Sequence, residues 1–128
     1  MLDLKKYKMF IGGEWLDSDT KKTFETLNPE NNKPWAIVPE ASASDVDKAV
    51  KAAQKAFEGD WPKLLPRERG KFLRAIGNKL RENAELLGRI ETIDTGKIFR
   101  ETNQQANYIA EYYDYYAGLA DKVEGTVL

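Results

Sequence analysis

The residues best suited to chemistry lie in two stretches, Glu91-Thr92-Ile93-Asp94-Thr95-Gly96-Lys97 and the tyrosine-rich run from Tyr108 to Tyr116. Asp94 stands just before Gly96, a residue for which positive φ is cheap and which predicts a helix stop. A carboxylate there meets the negative end of the helix dipole. Its charge must be offset by Lys97, by nearby backbone N–H groups or by a bound cation. Lys97 alone could be an activated lysine, but a solvated charge beside Asp94 is the simpler reading. Tyr108, Tyr112, Tyr113, Tyr115 and Tyr116 put five rings into nine residues, too many for one buried helix face. Cys and His are absent. That removes a cysteine nucleophile, a thiolate zinc site, a disulfide framework and the commonest general base. Chemistry completed within this chain is not expected.

The elements that must position these residues follow from periodicity. Tyr7–Ile11, Gly12-Gly13 and Glu14–Leu16 predict a hairpin, and residues before Tyr7 read as a frayed end. Asp17–Lys22 is a polar connection. Thr23–Leu27 alternates as a strand, Asn28-Pro29 starts a turn, and the proline-bounded Pro34–Pro39 suits an edge strand. Gly12-Gly13 lacks the spacing of a phosphate loop and no helix opens after it.

Helical spacing begins at residue 42. Ser42 with Asp45 predicts a capping box, and Val46, Ala49, Val50, Ala53 and Phe57 form one apolar stripe. Glu58-Gly59-Asp60 ends this helix. Pro66 opens a second one, with Phe72, Leu73, Ile76 and Leu80 inward. Gly77 inside it predicts a close approach by another helix, since glycine there is otherwise unfavourable by about 1 kcal/mol. Asn83 is expected to cap a third helix, with Leu86, Leu87, Ile90 and Ile93 inward. The longest helix runs from about Ile98 to Ala120, with Phe99, Thr102, Ala106, Ile109, Tyr113, Tyr116 and Ala120 along one side and Gly125 as a later stop. Thr126-Val127-Leu128 is a β-prone run. The fold class is α+β and helix-rich: a small N-terminal antiparallel β element over 1–40, then about four packed helices over 42–128.

Four motifs in order carry a resemblance: Phe10-Ile11-Gly12-Gly13-Glu14-Trp15, Leu27-Asn28-Pro29, Glu91-Thr92-Ile93-Asp94-Thr95-Gly96-Lys97 and Tyr115-Tyr116-Ala117-Gly118-Leu119-Ala120-Asp121-Lys122. Their types and order resemble the N-terminal segment of the NAD(P)-dependent aldehyde dehydrogenases, which implies that the segments 1–40 and 42–128 are together one partial domain of a larger enzyme. Where that family commonly has proline after the lysine, this chain has Ile98. The resemblance implies oxidation of an aldehyde to a carboxylic acid, with NAD or NADP serving the full-length enzyme and no cofactor bound by this chain alone. The family uses a cysteine thiolate, an oxyanion-holding asparagine and a water-activating glutamate. None of these can be assigned here, and the βαβ cofactor core belongs to sequence after this segment. The resemblance further implies that Asp94, with the backbone carbonyls of Thr26 and Leu27, helps to bind a structural monovalent cation. It also implies that Gln104 and Tyr108 stand by the aldehyde entrance.

Lys+Arg 20 against Asp+Glu 21 gives a net charge of −1 and no electrostatic case for nucleic acid or a membrane surface. No apolar run reaches spanning length and the start lacks a signal peptide, so a cytoplasmic location is expected. Expected partners are the remainder of the enzyme or a second copy, in an oligomer, with a small aldehyde as substrate. The competing reading is a free-standing, non-enzymatic interaction module derived from the same family.

Overall fold

The computed structural model describes residues 4–126; residues 1–3, 127 and 128 lie outside the described part, and with them most of the expected β-prone tail. The chain divides into two compact units, Met1–Lys63 and Leu64–Leu128. Helix α1 therefore belongs with the strands.

In the first unit the short strand β1 (Lys5–Lys6) replaces part of the expected frayed end. The hairpin β2 (Met9–Ile11) and β3 (Glu14–Leu16) is as expected, with Phe10 paired to Trp15. Gly12 and Gly13 take φ of 61° and 93°, which supplies the two positive-φ positions of a tight hairpin turn. Strands β4 (Thr23–Asn28) and β5 (Lys33–Pro39) pair antiparallel, and β1 adds to β5 in parallel, giving the order β1-β5-β4. The proline-bounded strand is thus central, not the edge expected from its prolines. The physical reason is positional. β1 covers only Ala36 and Ile37, between the two prolines. On the other side the register jumps between Thr26 and Leu27, so Trp35 forms a bulge beside Pro34. The missing proline N–H groups fall where the ladder is already broken or ending.

Helix α1 (Ala43–Glu58) starts on the expected capping box. The Asp45 backbone N–H donates to Ser42 Oγ (3.1 Å), and Ser42 N–H donates back to Asp45 Oδ2 (2.9 Å). The same carboxylate does more than cap. It is 2% exposed and accepts from the Ser18 hydroxyl at 2.9 Å and the Asp19 N–H at 3.2 Å. Ser18, itself 1% exposed, is the loop's anchor. Lys48 reinforces the clamp through Asp19 at 2.6 Å. These donors, Ser42 N–H foremost, hold Asp45 down from an ordinary 3.8 to about 2 against the opposing effect of desolvation.

The second unit contains α2 (Pro66–Glu82), α3 (Ala84–Thr95) and α4 (Phe99–Leu119). Pro66 occupies the start of α2 as expected. Asn83 occupies the N-cap position of α3, its carbonyl accepting from Leu87 N–H (2.9 Å), but its side chain makes no cap bond there: Nδ2 donates instead to the Lys79 carbonyl (2.8 Å), closing the end of α2. Gly96 ends α3 in the left-handed region at φ 75°. Helix α4 stops at Leu119, ahead of Gly125.

The helices meet through small residues. Gly77 lies where a Cβ would stand 3.1 Å from the Ala110 carbonyl oxygen, the close approach its position predicts. Gly70 meets the Ala117 carbonyl, and Gly88 on α3 meets the backbone of Asn103 on α4. The Thr102 hydroxyl sits 2.9 Å from the Gly88 carbonyl and 3.0 Å from that of Phe99. Its one hydrogen goes to a carbonyl, so the Thr92 hydroxyl, also 2.9 Å away, donates to it. Buried apolar side chains among the described residues are all alanines: Ala36, Ala84, Ala106, Ala110 and Ala117.

The stripes expected to point inward are largely outside. Val46, Val50 and Phe57 on α1, Phe72 and Ile76 on α2, Leu86, Leu87 and Ile93 on α3, and Ile109 and Tyr116 on α4 are all exposed. Leu73, Leu80 and Ile90 are half-buried. Periodicity locates an apolar face; it does not say what covers it. No helix among the described residues is long and apolar enough to cross a membrane.

Two predictions follow from this packing. Gly88→Ala places a Cβ 2.8 Å from Asn103 backbone atoms and should destabilise by about 1–3 kcal/mol. Gly118→Ala, with nothing within 4 Å, should be neutral or stabilise by up to about 1 kcal/mol. Urea unfolding of both variants checks the contrast. For Asp45 the depressed folded value means its contribution is complete above the ordinary 3.8 and disappears as pH falls through about 2. The difference in melting temperature between wild type and Asp45→Asn should therefore be largest near neutrality and shrink across that acid window. A difference independent of pH would contradict the assignment.

Candidate functional site

Helix α4 sets the geometry of the candidate site. One side carries Thr102, Ala106, Ala110 and Ala117 into the packed layer. At 100° per residue the opposite side carries Gln104, Tyr108, Glu111, Tyr112 and Tyr115, all exposed. Gln104 and Tyr108, the two residues assigned to an entrance, therefore share one face a single turn apart.

A groove on this face is lined by Tyr108, Glu111, Tyr112 and Tyr115. The Tyr108 and Tyr112 rings meet edge to face at 4.9 Å between centroids, and their hydroxyls are 2.8 Å apart. The hydrogen bond to Tyr108 raises the Tyr112 pKa above its ordinary 10.0. Tyr115 makes a second edge-to-face pair with Tyr116 at 5.3 Å. Glu111 stands among these rings, and its carboxylate makes no hydrogen bond or ion pair among the described residues. The groove can thus present aromatic faces and one negative charge. Sequence reasoning missed Glu111, although its position three residues after Tyr108 and four before Tyr115 was the available signal. Tyr113 points the other way, its Cβ set against Gly77, which separates it from the cluster.

The other candidates belong to different units. Asp94 lies exposed in the last turn of α3 in the second unit; Thr26 and Leu27 lie on β4 in the first, at the step where the ladder register breaks. Lys97 binds Glu91 at 2.6 Å, so its ammonium neutralises that acid. This is a surface pairing and not the setting of an activated lysine. Among the described residues no three His, Cys, Asp or Glu side chains converge on a common point.

The profile of the aldehyde dehydrogenase family matches residues 15–128. A (Z)-2-((N-methylformamido)methylene)-5-hydroxybutyrolactone dehydrogenase from Acinetobacter baylyi is 41% identical over 126 residues, covering 98% of this chain and 25% of that protein. Among solved structures, an NAD-dependent aldehyde dehydrogenase from Sinorhizobium meliloti superposes with a TM-score of 0.91 at 31% identity, covering 97% of this chain and 25% of the other. A betaine aldehyde dehydrogenase from Staphylococcus aureus, solved in complex with NAD+, gives 0.88 at 39% identity, with 94% and 24% covered. The chain spans about a quarter of the length of the relatives it matches.

Proposed function

Because the chain belongs to the aldehyde dehydrogenase family, we propose that it is the N-terminal portion of an enzyme oxidising an aldehyde to a carboxylic acid with NAD or NADP. The observation that carries this reading is the match of nearly the whole chain to one quarter of a full dehydrogenase at a TM-score of 0.91. With no cysteine in the sequence, the thiolate nucleophile must come from the rest of the enzyme, and the segment is inert by itself. It supplies a scaffold and one wall of the aldehyde entrance, with Gln104 and Tyr108 on that wall. The nicotinamide cofactor supplies the hydride acceptor when bound elsewhere in the enzyme. No contact to it is assigned to residues of this chain. The exposed apolar faces of α1, α2 and α3 support docking against the remaining domains, in a cytoplasmic and oligomeric enzyme.

The expected outcome is concrete. An immunoblot of native cells with an antibody to this segment should give a band several-fold heavier than 14.6 kDa. A band at that mass would favour the interaction module, docking through its tyrosine-rich helix α4. The isolated segment should oxidise no aldehyde with either cofactor.

We also propose that Asp94, with the Thr26 and Leu27 carbonyls, holds a monovalent cation in the full enzyme. What supports this reading is chemical: all three donors are oxygens, which suit a hard ion, and Asp94 lies at the carbonyl end of α3. Replacing sodium or potassium by tetramethylammonium at constant ionic strength should lower the melting temperature of the full enzyme. In Asp94→Ala that dependence should vanish. Equal cation dependence in both proteins would remove Asp94 from the role.

A further inference from the structure

A cavity in the first unit concentrates positive charge in a chain whose net charge is −1. Its volume is about 340 Å³, and Lys6, Lys21 and Lys22 line it with Asp17 as the single carboxylate. Three ammonium groups against one acid leave its wall at +2. Strand register explains how part of that wall forms. Lys6 pairs with Ile37 across β1 and β5, and Thr23 pairs with Pro39 across β4 and β5. Paired residues project to the same side of a sheet, as do residues two apart on one strand. Lys6 and Thr23 therefore share a face with Ile37 and Pro39, which give the cavity an apolar floor.

The loop after the hairpin supplies the other wall, and it is anchored. Ser18 is buried and bonded to Asp45, and the Lys21 N–H donates to the Ser18 carbonyl at 2.9 Å. That turn holds Lys21 at φ 58°, a left-handed conformation that is costly for a residue with a Cβ. The fold, and not the local preference of lysine, sets where this side chain starts.

The positive charge is not compensated. Lys21 reaches Asp17 only at 3.9 Å, with both side chains mostly exposed, a pairing that contributes little. Lys6 and Lys22 have no acidic partner among the described residues. Neighbouring acids are engaged elsewhere: Asp19 binds Lys48 at 2.6 Å, and Asp45 is filled by Ser42, Ser18 and the Asp19 N–H. Glu25 also pairs with Ile37, but it stands two strands from Lys6, about 10 Å away, and lines no part of the cavity.

Several lysines acting as point charges suit a compact dianion such as a phosphate group, which offers three acceptor oxygens to share among them. A cation would be repelled. A neutral apolar ligand would desolvate the ammonium groups with no return. A phosphate group alone leaves much of the cavity unfilled, and the Ile37 and Pro39 floor favours carbon in the remainder. We propose that this cavity binds a small phosphate monoester, with Lys6, Lys21 and Lys22 on the phosphate and Ile37 and Pro39 beneath the organic part.

Isothermal titration calorimetry on the full-length protein tests this, with inorganic phosphate and phenyl phosphate as probes at constant ionic strength. Two variants remove equal charge from exposed lysines: Lys6→Gln/Lys22→Gln within the cavity and Lys8→Gln/Lys33→Gln outside it. Phenyl phosphate should bind the wild type more tightly than inorganic phosphate does. The cavity variant should weaken that binding by roughly ten-fold or more, and the control should leave it within about two-fold. Equal losses in both variants would reduce the effect to overall charge, and undiminished binding in the cavity variant would put the anion elsewhere. Either result overturns the proposal, as does an absence of saturable binding to the wild type. Equal affinity for the two probes would assign the cavity to free phosphate and overturn the ester. The readout is binding and not turnover, so the outcome is independent of whether the protein oxidises an aldehyde.

Discussion

The second unit depends on how closely α4 can approach its two neighbours. Gly77 and Gly70 on α2 and Gly88 on α3 leave no room for a Cβ, and the facing positions on α4 are alanines, Thr102 and the backbone of Asn103. Backbones this close gain dispersion contacts along their length and bury little side-chain area. The Thr102 hydroxyl fixes the rotation of α4 against α3, because only one orientation brings it onto the Gly88 carbonyl and under the Thr92 hydroxyl. Since the seam is filled by small residues, the large apolar side chains have nowhere to go within the unit. They line its outer faces instead, and that is a property of the seam and not a failure of folding.

The first unit solves a different problem with a different interaction. Its strands are short and its buried apolar content is slight, Ala36 being the one buried apolar side chain among its described residues. Order in the connection after the hairpin comes from polar bonds converging on Asp45: Ser42 from its own helix cap, and Ser18 and Asp19 from the loop. A buried carboxylate is expensive unless its lone pairs are filled, and here they are. The Lys48–Asp19 pair lies at the surface and adds little by itself.

The sequence made the elements legible wherever a local rule governs them. The capping box at Ser42, the proline at the start of α2, the left-handed Gly96 and the close approach at Gly77 each depend on a few neighbouring residues. What it did not show depends on partners distant in the chain. The centre position of β5 required knowing that β1 would pair beside it, across thirty intervening residues. Ser18 looked like one more polar loop residue, because its burial is created by Asp45, 27 residues on. The outward direction of the apolar stripes could not be read from period alone, since a 3.6-residue repeat is the same whether its cover is in the unit or elsewhere. Of the candidate site, Gln104 and Tyr108 were legible through family likeness; Glu111 was not, because carboxylates on an exposed helix face are ordinary and only its ring neighbours set it apart.

Helix α4 joins these points, because it is patterned by volume and not by polarity. Its hydroxyl and alanine side is as narrow as a helix can be, and the opposite side carries rings. An ordinary amphipathic helix hides its large apolar residues and shows its charges. Here large aromatic residues with polar tips are shown, and the residues that are hidden contribute little hydrophobic driving force. Tyrosine suits such a face: its ring offers area and a quadrupole, and its hydroxyl tolerates water until a partner or ligand arrives. The tight seam holds the α4 backbone directly against α2 and α3. The spacing of Tyr108, Glu111, Tyr112 and Tyr115 is then set by helical geometry alone and held by contacts on the far side. The small residues that deprive this unit of a conventional core are therefore also what leave its rings and large apolar side chains on the outside.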